Sequence, residues 1–380
     1  MKFNYLSLVA LAGIGFVGML TANPGISENK IILGQTAATG GPASALGSGM
    51  KEGLNLWFDY VNQKGGINGR QIELITYDDG YEPGQALENA KKLVETDSVF
   101  ALIGGVGTPT AKAVVPYIQD QGVPFIGPFT GAGFLRDASN NWVVNVRASY
   151  DQEMEALVAH LHDEKGLKNI GIFYQNDGYG QAGLSGLKKA MEKRGLNIAG
   201  EATYERNTLA VKQGVLAFRR NQPEAIVMVG AYKPCAEFIR VARKARINNT
   251  LFCNISFVGT HALFEELGDQ ADNVLISQVM PDPRNDGSAL VQEYLKLLKA
   301  TNPDAKPDWI SLEGFAVAKL FTSALEKTGG TPTREALMQA IADTGKFDLG
   351  GAVLEYGEGD SQGMNAVYLT AFQDTQIIDL

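Results

Sequence analysis

Short apolar runs and longer amphipathic stretches alternate along most of this chain. Residues 30–34, 71–77, 99–104 and 124–127 are apolar runs of strand length. Between them, 44–62, 83–96 and 108–121 carry apolar positions at helical spacing. In the second of these, Leu87, Ala90 and Val94 fall at i, i+3 and i+7. Lys64-Gly65-Gly66 stops the first helix, because glycine takes the left-handed cap conformation without a Cβ clash. Asp78-Asp79-Gly80 closes the second run as a turn. Repeated strand–helix–strand predicts a parallel sheet with helices on both faces.

The pattern restarts after 142–146. Ser149-x-x-Gln152 is a capping-box signal for a helix reaching about 165, with Met154, Leu157 and Leu161 on its apolar face. Strands at 169–174, 197–204, 225–229 and 251–254 then alternate with helices at 180–194, 209–221 and 235–245. From about 274 onward the pattern is helix-rich (288–300, 311–327, 333–343) and too short in strand for a sheet of its own. The chain is therefore expected to cross back and complete the first unit. The fold class predicted is α/β: two Rossmann-like lobes with parallel sheets, joined by a multi-crossing hinge over a cleft. One lobe is assigned 28–147 plus 282–354, the other 148–281 plus 355–380.

Residues 1–22 stand apart. Met1-Lys2 is a short basic start, and the uncharged run 5–20 is shorter than the roughly 20 apolar residues of a spanning helix. Ala22, ahead of Asn23-Pro24-Gly25, fits the cut site of an export signal, although Leu20 departs from the small-x-small rule. A retained anchor is the competing reading. No cysteine lies near the cut, so a lipid anchor is not expected. The location implied is periplasmic.

Charge and composition narrow the function. Forty-two acidic against 33 basic residues give a net charge of −9, which disfavours a nucleic-acid partner and gives no support to an anionic membrane surface. Two cysteines and three histidines exclude a disulfide-rich scaffold and leave little for a Cys/His metal site. Cys235 and Cys253 are either a disulfide of an oxidising compartment or two buried thiols. His160 and His162, two apart on a helix, point to different sides and read as surface residues. No phosphate loop, H-E-x-x-H or G-x-S-x-G occurs. No enzyme activity, cofactor or metal is expected.

In open α/β sheets ligands bind beyond the carboxyl ends of the strands. In the first unit those loops are 35–47, 105–110 and 128–133, rich in Gly, Thr, Ser and Ala. In the second they are 176–179, 231–234 and 255–257, which carry aromatic residues. Ordinary turn chemistry explains any one loop, as at Asp177-Gly178. Their shared position facing one cleft points to a small-molecule site.

From about Ile31 onward the chain resembles the periplasmic branched-chain amino-acid-binding proteins of ABC importers. The resemblance rests on Val61-Asn62-x-Lys64-Gly65-Gly66-Ile67-Asn68-Gly69, Tyr77-Asp78-Asp79, Ile103-Gly104 before the Thr108 loop, Asp177-Gly178-Tyr179-Gly180, Gly230-Ala231-Tyr232-x-Pro234 and Ala242-Arg243-x-Ala245. It implies the type I periplasmic binding fold, closing over a ligand without chemistry. It also implies a monomer that docks on a membrane permease. A ligand-sensing receptor subunit signalling to a membrane partner is the alternative.

The resemblance places Thr108 on a ligand carboxylate. Phe129 and Gly131 fall where backbone N–H groups and a threonine hydroxyl hold the same group. Gly131 lacks the hydroxyl, which adjacent Thr130 could replace. Tyr179 and Tyr232 match two aromatic positions facing the ligand, and Leu46 falls where leucine-type binders often carry an aromatic ring. Ser256 falls where an acidic residue pairs with an α-ammonium group. That departure favours a small carboxylate, aromatic or aliphatic, over a standard amino acid. Asp177 or Glu313 supplying the missing charge would restore an amino-acid-like ligand.

Overall fold

The computed structural model describes residues 23–285, 287–330, 332–357 and 359–380; the export-signal reading falls on residues outside these. A first sheet is built from β1 (Lys30–Ala37), β2 (Gln71–Asp78), β3 (Ala101–Ile103), β4 (Phe125–Ile126) and β5 (Val143–Val144). It is parallel throughout, in the order β2-β1-β3-β4-β5. The chain then enters a second sheet of β6 (Ile170–Gln175), β7 (Glu201–Tyr204), β8 (Ala225–Val229), β9 (Leu251–Asn254) and β10 (Val274–Gln278). Burial of these strands on both faces explains their unbroken apolar runs.

The stretch after residue 274 carries more strand than its pattern suggests. β11 (Lys346–Asp348), β12 (Val353–Gly357) and β13 (Asp360–Gly363) form a small antiparallel sheet. The reason is local: β12 buries only Leu354 and Tyr356, and β13 reads Asp-Ser-Gln-Gly. β14 (Tyr368–Gln373) and β15 (Gln376–Asp379) join the second sheet, with β14 antiparallel to β10.

Helices from this late stretch cover the first unit. Helix Trp309–Glu326 lies on helix Ser44–Gln63, with Trp57 edge-on to Phe315 at 5.2 Å and Trp57 Nε1 donating to Thr322 Oγ1 at 2.8 Å. The two backbones almost touch: a Cβ at Gly53 would sit 1.9 Å from the Ser311 carbonyl oxygen, and one at Gly314 2.4 Å from that of Met50. The chain thus passes between the sheets after β5, after β10 and before β14. Cys235 and Cys253 are separate buried thiols, both pushed up in pKa by burial. His160 is buried rather than on the surface, its Nδ1 2.7 Å from Glu164.

Candidate ligand site between the lobes

The strand ends of both sheets meet at one place. After β3 the chain turns through Gly107 at φ 107°, and a side chain there would run into the Tyr81 ring at 2.3 Å. Thr108 then opens helix Thr108–Asp120. Its Oγ1 is 2.6 Å from Thr130 Oγ1, which in turn donates to the Tyr150 hydroxyl at 3.2 Å. Three hydroxyls from three elements are therefore clustered and buried.

Beside them lies a charge the sequence patterns did not single out. Arg147 is 1% exposed. Its guanidinium sits 4.3 Å over the Phe129 ring, and its Nη2 donates to Ser256 Oγ at 2.7 Å. Its Nε is 3.1 Å from Glu313 Oε1, an ion-pair distance without hydrogen-bond alignment. Its Nη1 has no partner. Burial works against this cation, but Glu313 and Glu153 outweigh it and hold the guanidinium above its ordinary pKa. Glu153 accepts from Ser256 N, Ser256 Oγ and Ser277 Oγ at 2.8, 3.0 and 2.6 Å. Burial still raises its pKa. Burial also pushes Glu313 up to about 7, against the pull of Arg147.

Aromatic rings from both sides close over this cluster. Phe257 lies 4.6 Å from Tyr179, 5.5 Å from Phe129 and 5.9 Å from Tyr81, and Tyr179 is 5.5 Å from Tyr150. The Tyr179 hydroxyl is buried without a partner, as is the Asn254 amide at the end of β9. Orphaned buried polar atoms are uncommon and call for an explanation. Here they gather at the ends of strands and helices that face one another. A cavity of about 10 Å³ is lined by Phe129, Arg147, Ser256, Trp309 and Glu313. That is room for about one water. Open surface grooves of 530 and 580 Å³ lie elsewhere and hold none of these side chains.

The candidate residues from the sequence fall as follows. Thr108, Phe129, Thr130, Tyr179 and Ser256 belong to this cluster. The Phe129 N–H is already donated to the Gly105 carbonyl at 2.8 Å, so its ring, not its backbone, faces the cleft. Gly131 is small because Tyr150 packs on it; a Cβ there would meet that ring at 2.6 Å. Tyr232 reaches across to accept from Ala45 N at 3.4 Å, beside buried Leu46. Leu46 abuts Gly259, where a Cβ would sit 2.8 Å from Leu46 Cδ2. Asp177 is committed elsewhere: it caps Tyr179 N and pairs with Arg206 at 2.9 Å. Of the two acids proposed for the missing charge, Glu313 lines the cavity. Arg147, Glu153 and Tyr150 are the additions, while Phe257 is the aromatic residue of the 255–257 loop. Arg147 had one visible signal, a lone cation between an apolar run and a capping box.

Arg206 also bridges the two sides. Its Nη2 meets Glu82 at 2.9 Å, and Asn207 Nδ2 donates to Gly80 O and Glu82 Oε1 at 3.0 and 2.7 Å. Glu82 is half exposed. Exposed pairs contribute about 0.2–1 kcal/mol. Arg206→Ala should therefore weaken ligand binding only about 1.4- to fivefold, in the dissociation rate. The difference should shrink between 50 and 500 mM salt in stopped-flow fluorescence.

A family model described as periplasmic binding protein matches residues 30–376. The leucine-, isoleucine-, valine-, threonine- and alanine-binding protein of Pseudomonas aeruginosa is 24% identical over 90% of this chain and 89% of its own. A solved structure described as a possible leucine/isoleucine/valine-binding protein from Rhodopirellula baltica is 35% identical, with a TM-score of 0.88 over 93% of this chain and 96% of that one. A substrate-binding periplasmic protein from Ralstonia solanacearum is 26% identical, with a TM-score of 0.85 over 92% and 100%.

Proposed function

Because the chain belongs to the periplasmic branched-chain amino-acid-binding protein family, a family of solute-binding proteins and not enzymes, we propose that it delivers a small carboxylate to an ABC importer. The observation that carries this reading is Arg147. A buried guanidinium with an unpartnered Nη1 is a receptor for an anion, and charge-assisted bonds of this kind are roughly twice as strong as neutral ones. Thr108, Thr130 and Tyr150 supply hydroxyls beside it, and Phe129, Tyr179 and Phe257 supply walls for the hydrocarbon part. Export through residues 1–22 and a permease docked on the lobe tips complete the proposal.

Closure follows from where these groups sit. Arg147, Phe129 and Thr108 lie on or next to the first sheet, Tyr179, Ser256 and Phe257 beyond the second. A ligand touching both sets binds the closed form better, and only that difference shifts the population. The test is a thermal-shift screen of protein unfolded and refolded to strip carried-over ligand. Benzoate, phenylacetate and isovalerate are compared with their amides. Ligand at 100 times its Kd stabilises by about 2.7 kcal/mol. A shift with an acid and none with its amide is expected; equal shifts with acid and amide overturn the carboxylate reading.

A further inference from the structure

We propose that Arg147 and Glu313 together select a monocarboxylate without an amine, and that Glu313 takes up one proton as this ligand binds. The inference rests on the carboxylate reading above and adds the charge state of the site.

The buried charges around Glu313 nearly balance one another. Facing Glu313 are Arg147 from the segment between β5 and helix Tyr150–Val158, Glu153 from that helix and Arg136 from the turn Gly133–Arg136. Tyr150 and Tyr179 face Arg147. Asp308, which caps the start of Glu313's own helix, pairs at 3.3 Å with His261 of helix Thr260–Leu267. Arg136 is met by the neutral acceptors Gln362 Oε1, Ala132 O and Arg147 O. With both glutamates ionised, the two arginines balance them. A ligand carboxylate on Arg147 Nη1 then adds one uncompensated negative charge, out of water, where an unpaired ion is costly. The nearest site that can absorb it is Glu313, 3.1 Å from the same guanidinium. Glu153 is the worse candidate, because three donors to its carboxylate favour the ionised form against the effect of burial.

An amino acid would need the opposite arrangement: a free carboxylate for its ammonium group. None is free among the groups at this site. Ser256 is held between Arg147 and Glu153, Asp177 is held by Arg206, and the charge of Glu313 is turned to Arg147. The polar atoms without a hydrogen-bond partner at the cluster are Arg147 Nε and Nη1, the Tyr179 hydroxyl and the Asn254 amide; the charged one is the cation, and none of them carries the negative charge an ammonium group needs. A neutral Glu313 also leaves Arg147 to the ligand, so one proton serves both selection and affinity.

The sign of the pH dependence follows. Glu313 titrates near 7 without ligand, and a bound anion raises it further. Affinity is therefore full below about pH 7 and falls about tenfold per pH unit as the pH climbs toward the pKa of the complex.

The experiment is isothermal titration of the refolded full chain with benzoate, phenylacetate and isovalerate, and with phenylalanine and leucine, from pH 5.5 to 8.5. Two buffers of different ionisation enthalpy report proton uptake. At least one amine-free acid should bind at least 100-fold tighter than either amino acid, with uptake approaching one proton above pH 7. Glu313→Gln, which mimics the protonated carboxyl, should bind that acid within about threefold of the parent's pH 6 affinity, with the slope and the uptake gone. An amino acid that binds tighter than the acids and is lost in Glu313→Gln would overturn the inference, making Glu313 an ammonium receptor. An acid that binds with the same slope in Glu313→Gln overturns it as well. If none of the three acids binds, the carboxylate reading itself has failed.

Discussion

Arg147→Met is expected to lower affinity for the ligand acid by two to four decades. The side chain is 1% exposed and offers the ligand a donor with no competing partner. Losing one member of a buried charge pair costs about 3–5 kcal/mol, and about 1.4 kcal/mol is a decade in Kd. The same substitution leaves Glu313 and Glu153 buried without their cation, so the melting midpoint of the ligand-free protein should fall too. Adding Glu313→Gln separates the effects: the double variant should recover much of the stability and none of the affinity. Calorimetry and thermal melts on the three variants check this. Affinity within tenfold of the parent in Arg147→Met would place the anion elsewhere.

Gly53→Val should have the largest effect on stability. The glycine faces the Ser311 carbonyl so closely that a Cβ would sit 1.9 Å away, and the obstacle is helix backbone rather than a movable side chain. Helices Ser44–Gln63 and Trp309–Glu326 would have to separate, giving up contacts such as Trp57 with Phe315 and Phe58 with Phe321. Overpacking in a well-packed core costs typically about 1–3 kcal/mol and more when backbone must move. With a cost of about 3 kcal/mol or more, a drop of about 6–12 °C or larger, or loss of soluble protein, is expected at about 2–4 °C per kcal/mol. Gly84→Ala is the control. It lies in helix Pro83–Lys91 with open space around its would-be Cβ, so it should be neutral or slightly stabilising. Equal melting of Gly53→Val and the parent would mean the helices are not in backbone contact.

Much of the fold was readable because its strands are buried on both faces and its helices are amphipathic. The runs at β8 and β9 stand in the sequence with the bounds the structure gives them. β11 to β13 were hidden, since a strand such as Asp360–Gly363 shows no apolar period at all. The site divides in the same way. Thr108, Tyr179 and Ser256 lie in the first turns of helices that follow strand ends, where local composition and position single them out. Arg147 and Glu313 are 166 positions apart and meet only through tertiary structure. Glu313 in particular lies in an apolar helix whose fifteen buried residues give no hint of which one faces a cleft. Asp177 carries the right charge in the right loop, yet capping and Arg206 consume it, which spacing alone does not reveal.

The pairing of helix Ser44–Gln63 with helix Trp309–Glu326 also bears on how the protein is made. The apolar face of the first helix emerges from the ribosome roughly 250 residues before the helix that covers it. At about 5–20 residues per second, that face waits some 12–50 s for its partner. Early segments therefore cannot reach their final packing while the chain is still short, and such non-local closure is slow in any case. The nascent chain stays unfinished long enough for a holding chaperone to engage it, and a truncation that ends before Trp309 should remain bound to one rather than fold.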